Sequence, residues 1–537
     1  MKKIFGIDLG TTYSCIAFVN EYGAPEVVPN KEGVPTTPSV VSIEEDGHCS
    51  VGEPAKNTLD TDPDTVCSTI KRQMGRTDYT FSAFGREYTP ESISALILEK
   101  LVKDANEKLG DNVKDVVITC PAYFGDDERN ATKKAGEIAG LHVIQLLNEP
   151  TAAAISYGIK TNEPQTVLVY DLGGGTFDVT ILRVDNDQIR TIATGGDHKL
   201  GGKDWDKKII DYIVTQVCQS TGDDPGDIYT DTELMGDLSL KAEKIKIDLT
   251  QKPNAKVKFN GETVVLSREQ FDQMTSDLLE STIQMTHKVI DEAATKGLVK
   301  FDKILLVGGS TYMPQVENRV KQEFDNVLVE FCDPNQSVAK GAAIFAINQA
   351  AFAESSELTN DNGDNTPIFT KEEQEELKKN PIFRCAGDQV KPINIIDVTS
   401  SSIGARLLCD DGKTHIVNQV YKDTEIPCEY ATTFGTVVEN QTSMLLEIFE
   451  NRSMDEYPDE ALCKPLTSGS IGPLPSGLPI NEPVNIIFKI DKQGMLYIDA
   501  EHKPSGVRKH MEVQFLNQIS EEELARQKEN FNALRRL

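Results

Sequence analysis

Apolar and polar positions follow two rhythms along this chain, and the rhythm changes near residue 350. Before that point, short apolar runs alternate with longer stretches of helical period, the pattern of an α/β domain. The runs predict strands at Lys3–Asp8, Cys15–Val19, Asp115–Thr119, Thr166–Tyr170, Val179–Arg183 and Lys303–Val307. The longer stretches predict helices over Ser92–Leu109, Asp127–Ala139, Trp205–Gln219, Arg268–Ala294 and Met313–Phe324. After Ala351 the composition turns polar: Glu354–Asn365 reads as a loop or disordered insert, and Lys371–Lys379 as a short charged helix. Val390–Val398 is apolar in a boundary position, which suits a docking segment and the first strand of a new domain equally. Strand-length runs then follow at His415–Val420, Tyr430–Val437, Ser443–Phe449, Val484–Ile490, Met495–Glu501 and Lys509–Leu516. A hairpin turn at Asp491–Gly494 and a surface loop over Ser468–Pro479 punctuate them, so this region is a compact antiparallel β domain. The chain closes on a helix start, with Ser520 and Glu523 as capping box and Ile519 and Leu524 as hydrophobic staple. Leu524, Phe531 and Leu534 would pack that helix onto the β domain. The division expected is therefore 1–350, an insert and linker at 351–392, a β domain at 393–517 and a helix at 518–537.

Before residue 350 a single loop design occurs twice. Ile4–Ser14 and Val167–Asp178 both run strand, Asp-Leu-Gly, hydroxyl residues, then a second β-rich run. Glycines let a backbone turn tightly and approach a phosphate with its N–H groups. An aspartate at the strand end would repel phosphate directly but suits a hydrated Mg2+ lying between protein and phosphates. Two such loops face to face would clamp a nucleotide tail, and their spacing suggests two similar halves with nucleotide between them. Ile304–Ser310 is a third strand ending in a glycine turn, suited to a base and ribose. Asn148–Ala154 sets a carboxylate before a small-residue helix, and Gly201–Asp206 opens another. The Walker and G-x-G-x-x-G patterns do not occur, which disfavours P-loop and Rossmann readings.

Composition narrows the class. At 537 residues, 39% apolar and 26% charged, the chain has the make-up of a soluble globular protein of several domains. A net charge of −30 argues against nucleic acid or an anionic membrane as partner. No apolar run approaches the ~20 residues of a membrane helix, and no signal peptide is visible at Met1-Lys2-Lys3. Ten scattered cysteines without a C-x-x-C pair fit reduced thiols in the cytoplasm.

Taken together, Gly6–Ser14, Pro121–Phe124, Asn148–Gly158, Asp171–Asp178, Leu200–Asp206 and Val307–Thr311 resemble the Hsp70 (DnaK-like) chaperone family of bacterial type, over nearly the whole chain. The resemblance implies an actin/hexokinase-like two-lobed ATPase domain followed by a β-sandwich that binds extended apolar peptides. It implies ATP and Mg2+ as ligands. Thr11, Thr12 and Tyr13 would contact phosphates and metal, while Gly173, Gly174, Gly175, Gly201 and Gly202 line the phosphates. Lys71 would orient the attacking water and stabilise charge on the transferred phosphoryl group. Asp8, Glu149 and Asp171 would hold the hydrated metal and position that water, with Thr176 and Asp178 completing the set. Glu243, Lys246 and Thr250 fall on the adenosine-side helix, Gly308, Gly309 and Ser310 cradle the nucleoside, and Tyr312 stands where the family has a stacking arginine. Asn335 replaces a common aspartate.

For the second domain the resemblance makes Met444 the central pocket residue, with Leu446, Phe434, Val437 and Leu408 around it. Pro121, Arg129 and the linker residues Ile395, Ile396 and Asp397 would relay nucleotide state between domains. J-domain proteins and exchange factors are implied as partners, although Gln145 replaces an arginine used in J-domain docking. Asn394 interrupts the apolar row of the linker, and burying its amide without a partner would cost about 1–3 kcal/mol. The sequence ends within what resembles the first helix of a lid, so a lidless chaperone is expected. Gln145, Asn394 and that ending also fit a different kind of protein, a scaffold that binds ATP structurally and serves one partner.

Overall fold

The structure is a computed structural model that describes residues 2–158, 164–185, 188–298, 300–352, 369–383, 392–409, 411–492, 494–502, 504–512 and 521–536. The N-terminal domain holds two sheets of the same topology. In the sheet of the first lobe, Phe5–Asp8 pairs antiparallel with Tyr13–Val19, which pairs with Pro25–Val27. On its other side Phe5–Asp8 runs parallel to Asp115–Cys120 and that strand to His142–Asn148. In the sheet of the second lobe, Gln165–Leu172, Phe177–Asp185 and Gln188–Asp197 form the meander. Lys303–Val307 and Leu328–Phe331 add in parallel. The duplicated loops thus head two matching five-strand units, and each loop joins the first two strands of its sheet.

Helices Glu149–Gly158 and Ser337–Phe352 lie between the two sheets in a shared core. Ser337–Phe352 is buried almost all round, so it carries no amphipathic period for sequence reasoning to find. Other boundaries follow local chemistry. Pro90–Leu109 starts under Thr89, whose hydroxyl accepts from the Ser92 amide, and stops at left-handed Gly110. Thr232–Gln251 starts under Asp231, whose carboxylate accepts from Leu234 N–H at 3.0 Å. The single helix expected over Arg268–Ala294 is two, Arg268–Met274 and Ser276–Thr295. Buried Thr275 breaks it, turning its hydroxyl onto the Phe271 carbonyl and the Gln315 side chain.

The β domain is a sandwich of two four-stranded sheets. One runs Thr414–Val420, Ser402–Leu408, Met444–Asn451, Lys464–Ile471, and the other Cys428–Gly435, Pro483–Ile490, Leu496–His502, Val507–Glu512. The loop expected to start at Ser468 starts after Ile471, because Ile471 pairs with Met444.

Three boundary elements differ from expectation or choose between alternatives. Lys371–Leu377 is the expected short helix, held under Thr370, but it is docked on the N-terminal domain. The linker strand Asn394–Val398 pairs parallel with Gln188–Asp197 and antiparallel with Glu425–Ile426, so it docks on one domain while opening the next. Asn394 is exposed on it, and the desolvation cost expected for its amide does not arise. The last helix, Glu521–Arg536, packs on the first lobe instead of the β domain: Phe531 and Leu534 join the core beside Ile138 and Ala135. The expected staple and cap at Ile519 and Ser520, the Glu354–Asn365 insert and the end of the Lys509–Leu516 run lie outside the described residues.

Candidate functional site

A cavity of about 700 Å3 opens between the two lobes. Both glycine loops, the Gly308–Tyr312 turn, the helix of Glu243 and the turn of Lys71 line it. The two loops touch. A Cβ on Gly174 would lie 1.9 Å from the Thr12 hydroxyl, and one on Gly175 would lie 2.2 Å from the Thr11 methyl. Side chains there would force the lobes apart, so the glycines are required by contact between the loops.

The second loop is tied to the next helix. Gly202 N–H donates to the Gly173 carbonyl at 3.0 Å, and Lys203 N–H to Gly174 at 2.8 Å. Ser310 Oγ donates to the Gly173 carbonyl at 2.8 Å, bringing the third glycine turn onto the same loop. Arg72, beside Lys71, donates to the Gly175 carbonyl at 2.8 Å and to Asp204 at 2.8 Å. Sequence reasoning missed Arg72, since an arginine beside a lysine looks like any solvated pair.

At the floor of the cavity Lys71 Nζ donates to Glu149 Oε1 at 2.5 Å, and both side chains are buried. Asp8, at the end of the first strand, accepts from Thr119 at 3.5 Å. Burial pushes the Asp8 carboxyl up to about 7; Glu149 adds to the rise, and Lys71 opposes it. Asp171 ends the matching strand of the other lobe and is pushed well above the usual carboxylate range by burial, then by Glu149 and Asp8. Asp178 is raised likewise by burial, Glu149 and Asp171. For Lys71, burial works against the ammonium, but Glu149 and Asp8 outweigh it and hold the charge. Four carboxylates thus share one ammonium. A divalent cation arriving with a triphosphate would favour the ionised carboxylates that burial disfavours, so the donor set fits a bound divalent ion. Thr12 Oγ1 is buried with no hydrogen-bond partner among the described residues, which also suits a phosphate or metal ligand. Among the described residues no three His, Cys, Asp or Glu side chains are grouped so as to hold a metal ion by themselves.

At the far end, Tyr13 OH donates to Glu243 Oε1 at 2.6 Å, and Lys56 reaches both groups, at 2.7 and 2.8 Å. Lys203 and Lys56 hold Glu243 well below the usual carboxylate range despite its burial. Lys246 donates to the Gly202 carbonyl at 2.9 Å, and Thr250 lines the cavity. Tyr312 lines the mouth, stacked on Phe331 with ring centres 5.9 Å apart, and Asn335 lies beside Gly309.

The residues expected between domains form one network. Pro121 accepts from Phe124 N–H, and buried Arg129 donates to the Phe124 carbonyl at 3.1 Å and to Asn148 Oδ1 at 2.5 Å. Asn148 Nδ2 in turn donates to Asp397 of the linker, which also accepts from Thr191 at 2.9 Å. Ile395 and Ile396 lie in register with Ile189 and Arg190. Asn148 is the residue before Glu149, so the linker is one peptide unit from the cavity floor.

The residues expected to bind peptide are not equivalent. Met444 and Phe434 pack half-buried against the sandwich core, Leu446 is 3% exposed within it, and Val437 and Leu408 are about half exposed outside it. Leu446 is thus a core residue: its two-residue offset from Met444 puts both side chains on the interior side of the strand, with Met444 nearer the edge of the core.

The family model of the Hsp70 protein matches residues 4–359 and 382–535. The chain is 36% identical over 541 residues to the chaperone protein DnaK of Thermosipho melanesiensis, covering 97% of this chain and 82% of that protein. It is 36% identical over 545 residues to the chaperone protein DnaK of Halobacterium salinarum, covering 99% of this chain and 78% of that one.

Proposed function

Because the chain belongs to the Hsp70 family, an ATP-dependent chaperone with ATPase activity, we propose that its interlobe cavity is the hydrolytic site and that the linker reports its state to the sandwich. ATP is taken with its phosphates between the Thr11–Tyr13 and Gly173–Gly175 loops, its nucleoside against Gly308–Ser310 and the Glu243 helix, and its base near Tyr312. Asp8 and Asp171, with the Thr12 hydroxyl, hold hydrated Mg2+, which when bound neutralises phosphate charge. Glu149 fixes Lys71 and shares with it the task of orienting water at the γ-phosphorus. Lys71 stabilises the charge that spreads over the transferred phosphoryl oxygens, and Thr176 and Asp178 close the shell around them. The products are ADP and inorganic phosphate. Its clients are extended apolar peptides in the cytoplasm, bound around Met444, and J-domain proteins and exchange factors act on the cycle.

The observation that carries the coupling is the bond from Asn148 to Asp397. A docked linker holds the residue next to Glu149, so releasing it changes the support of the Lys71–Glu149 pair. Single-turnover ATP hydrolysis, with and without an extended apolar peptide and a J-domain protein, tests this. Hydrolysis accelerated by either supports the coupled chaperone cycle. Tight ATP binding with hydrolysis indifferent to both supports the scaffold instead.

A further inference from the structure

Residues 360–381 fall between the two family-matched blocks, yet this stretch is firmly seated on the first lobe where the structure describes it. Phe369, Leu377 and Phe383 are all buried in the core that helix Ser337–Phe352 shares with the two sheets. The Phe383 ring meets Phe352 edge-on at 5.7 Å, and Lys378 and Lys2 sit over Phe352 and Phe369. Asn380 is fully buried: its amide donates to the Asn20 carbonyl at 3.0 Å and its oxygen accepts from Ile382 N–H at 3.0 Å. The hairpin it grips is shaped to receive it. Gly23 has φ +79°, and a Cβ there would lie 2.4 Å from the Ile382 amide nitrogen. A chance surface contact would not need a left-handed glycine and a buried, doubly bonded asparagine at the same point.

This seat lies just upstream of the linker. Ile393 N–H donates to Asn348 Oδ1 at 2.9 Å, and the linker strand begins at the next residue. From Phe383 to Ile393 the chain runs about 10 residues, whereas from the end of the last helix at Phe352 it runs about 41. Loop closure disfavours long connections as the three-halves power of their length, so an anchor at Phe383 favours linker docking roughly eightfold over a free connection.

We propose that residues 369–383 are an intramolecular strap that holds the upstream end of the linker on the ATPase domain and so keeps the linker strand within reach of its docking edge. The strap acts by shortening the connection to the linker, which is how a segment remote from the cavity biases the Asp397–Asn148 bond.

The test is amide exchange of residues 394–398 in the full chain, compared among three forms. The pair Leu377→Ala with Phe383→Ala releases the strap and leaves the connection long. Deletion of residues 353–383 removes the strap but makes the connection short again. The strap account expects linker amides to exchange roughly eightfold faster in the first variant and at the parental rate in the second. Unchanged exchange in the first variant overturns it. Equally fast exchange in both variants also overturns it, because the segment would then act by contact and not by length.

Discussion

In the interlobe cavity, Glu149, Asp171 and Asp178 are buried and Asp8 half-buried around one lysine, and desolvation there raises the Asp8, Asp171 and Asp178 carboxyls. On the sandwich the arrangement is reversed: Leu408, Val437 and Leu445 stand 54%, 51% and 68% exposed, where water would otherwise reward a polar residue. Both regions hold side chains in the costly environment, which is the usual mark of a binding surface. They differ in how the cost is met. The cavity offsets it internally, through Lys71, Thr119 and the groups that hold Glu243. The exposed leucines and valines have only a ligand to cover them. A buried, internally braced site should therefore fail by losing chemistry, and an open apolar face by losing affinity.

The sharpest way to break that comparison is Lys71→Ala. Removing the one ammonium among four carboxylates should slow single-turnover hydrolysis by about 10²–10⁴-fold and change nucleotide affinity far less. Retained turnover would end the role given to Lys71.

Next in size, Leu446→Ala should destabilise the sandwich by about 2–5 kcal/mol through the cavity it leaves. Leu408→Ala should stay within about 0.5 kcal/mol while weakening peptide binding. Denaturant unfolding with peptide titration separates the two, and equal stability losses would mean that the face is not an open one.

The smallest effect lies where the regions meet. His198 of the second lobe accepts from Arg452 of the sandwich at 2.6 Å, beside the edge of the Tyr123 ring. Burial, then Arg452, pushes the imidazole down to about 4, with Lys199 acting in the same direction and Asp197 against it. Undocked, His198 returns to the ordinary value near 6.5. The undocked form then binds more protons between those values, so the His198 contribution to docking is full above pH 6.5. It should fall by up to about tenfold per pH unit as pH drops toward 4. Buried Asp126 and half-buried Glu128, both pushed up by desolvation at the same interface, act with the opposite sign. The measurement is therefore the difference between the parent and His198→Gln in interdomain fluorescence transfer across that range. Parallel pH profiles would remove His198 from the interface energetics.

The legibility of the two regions differs for the same physical reason. Asp8 and Asp171 stood out in the sequence because a carboxylate ending an apolar strand is expensive unless something uses it, and the glycines beside them repeated that signal. Met444 and Leu446 carried no such mark. Alternation put them on one side of the strand and could not say that this side was the interior. Arg72 and Asn148 were invisible as partners, since their importance lies in what another segment of the chain brings to them.

What the sequence determined by itself is the local chemistry: where strands end in Asp-Leu-Gly, which helices are capped, and that one unit is used twice. These follow from steric and hydrogen-bonding rules that act over a few residues. Only the tertiary structure decided the long-range choices: that the linker joins the sheet of the second lobe, that the last helix rests on the first lobe, and that Phe369, Leu377 and Phe383 are buried against it. Each of those choices depends on which apolar surface elsewhere is left uncovered, and burial of that surface is a property of the assembled fold, with no local pattern to announce it.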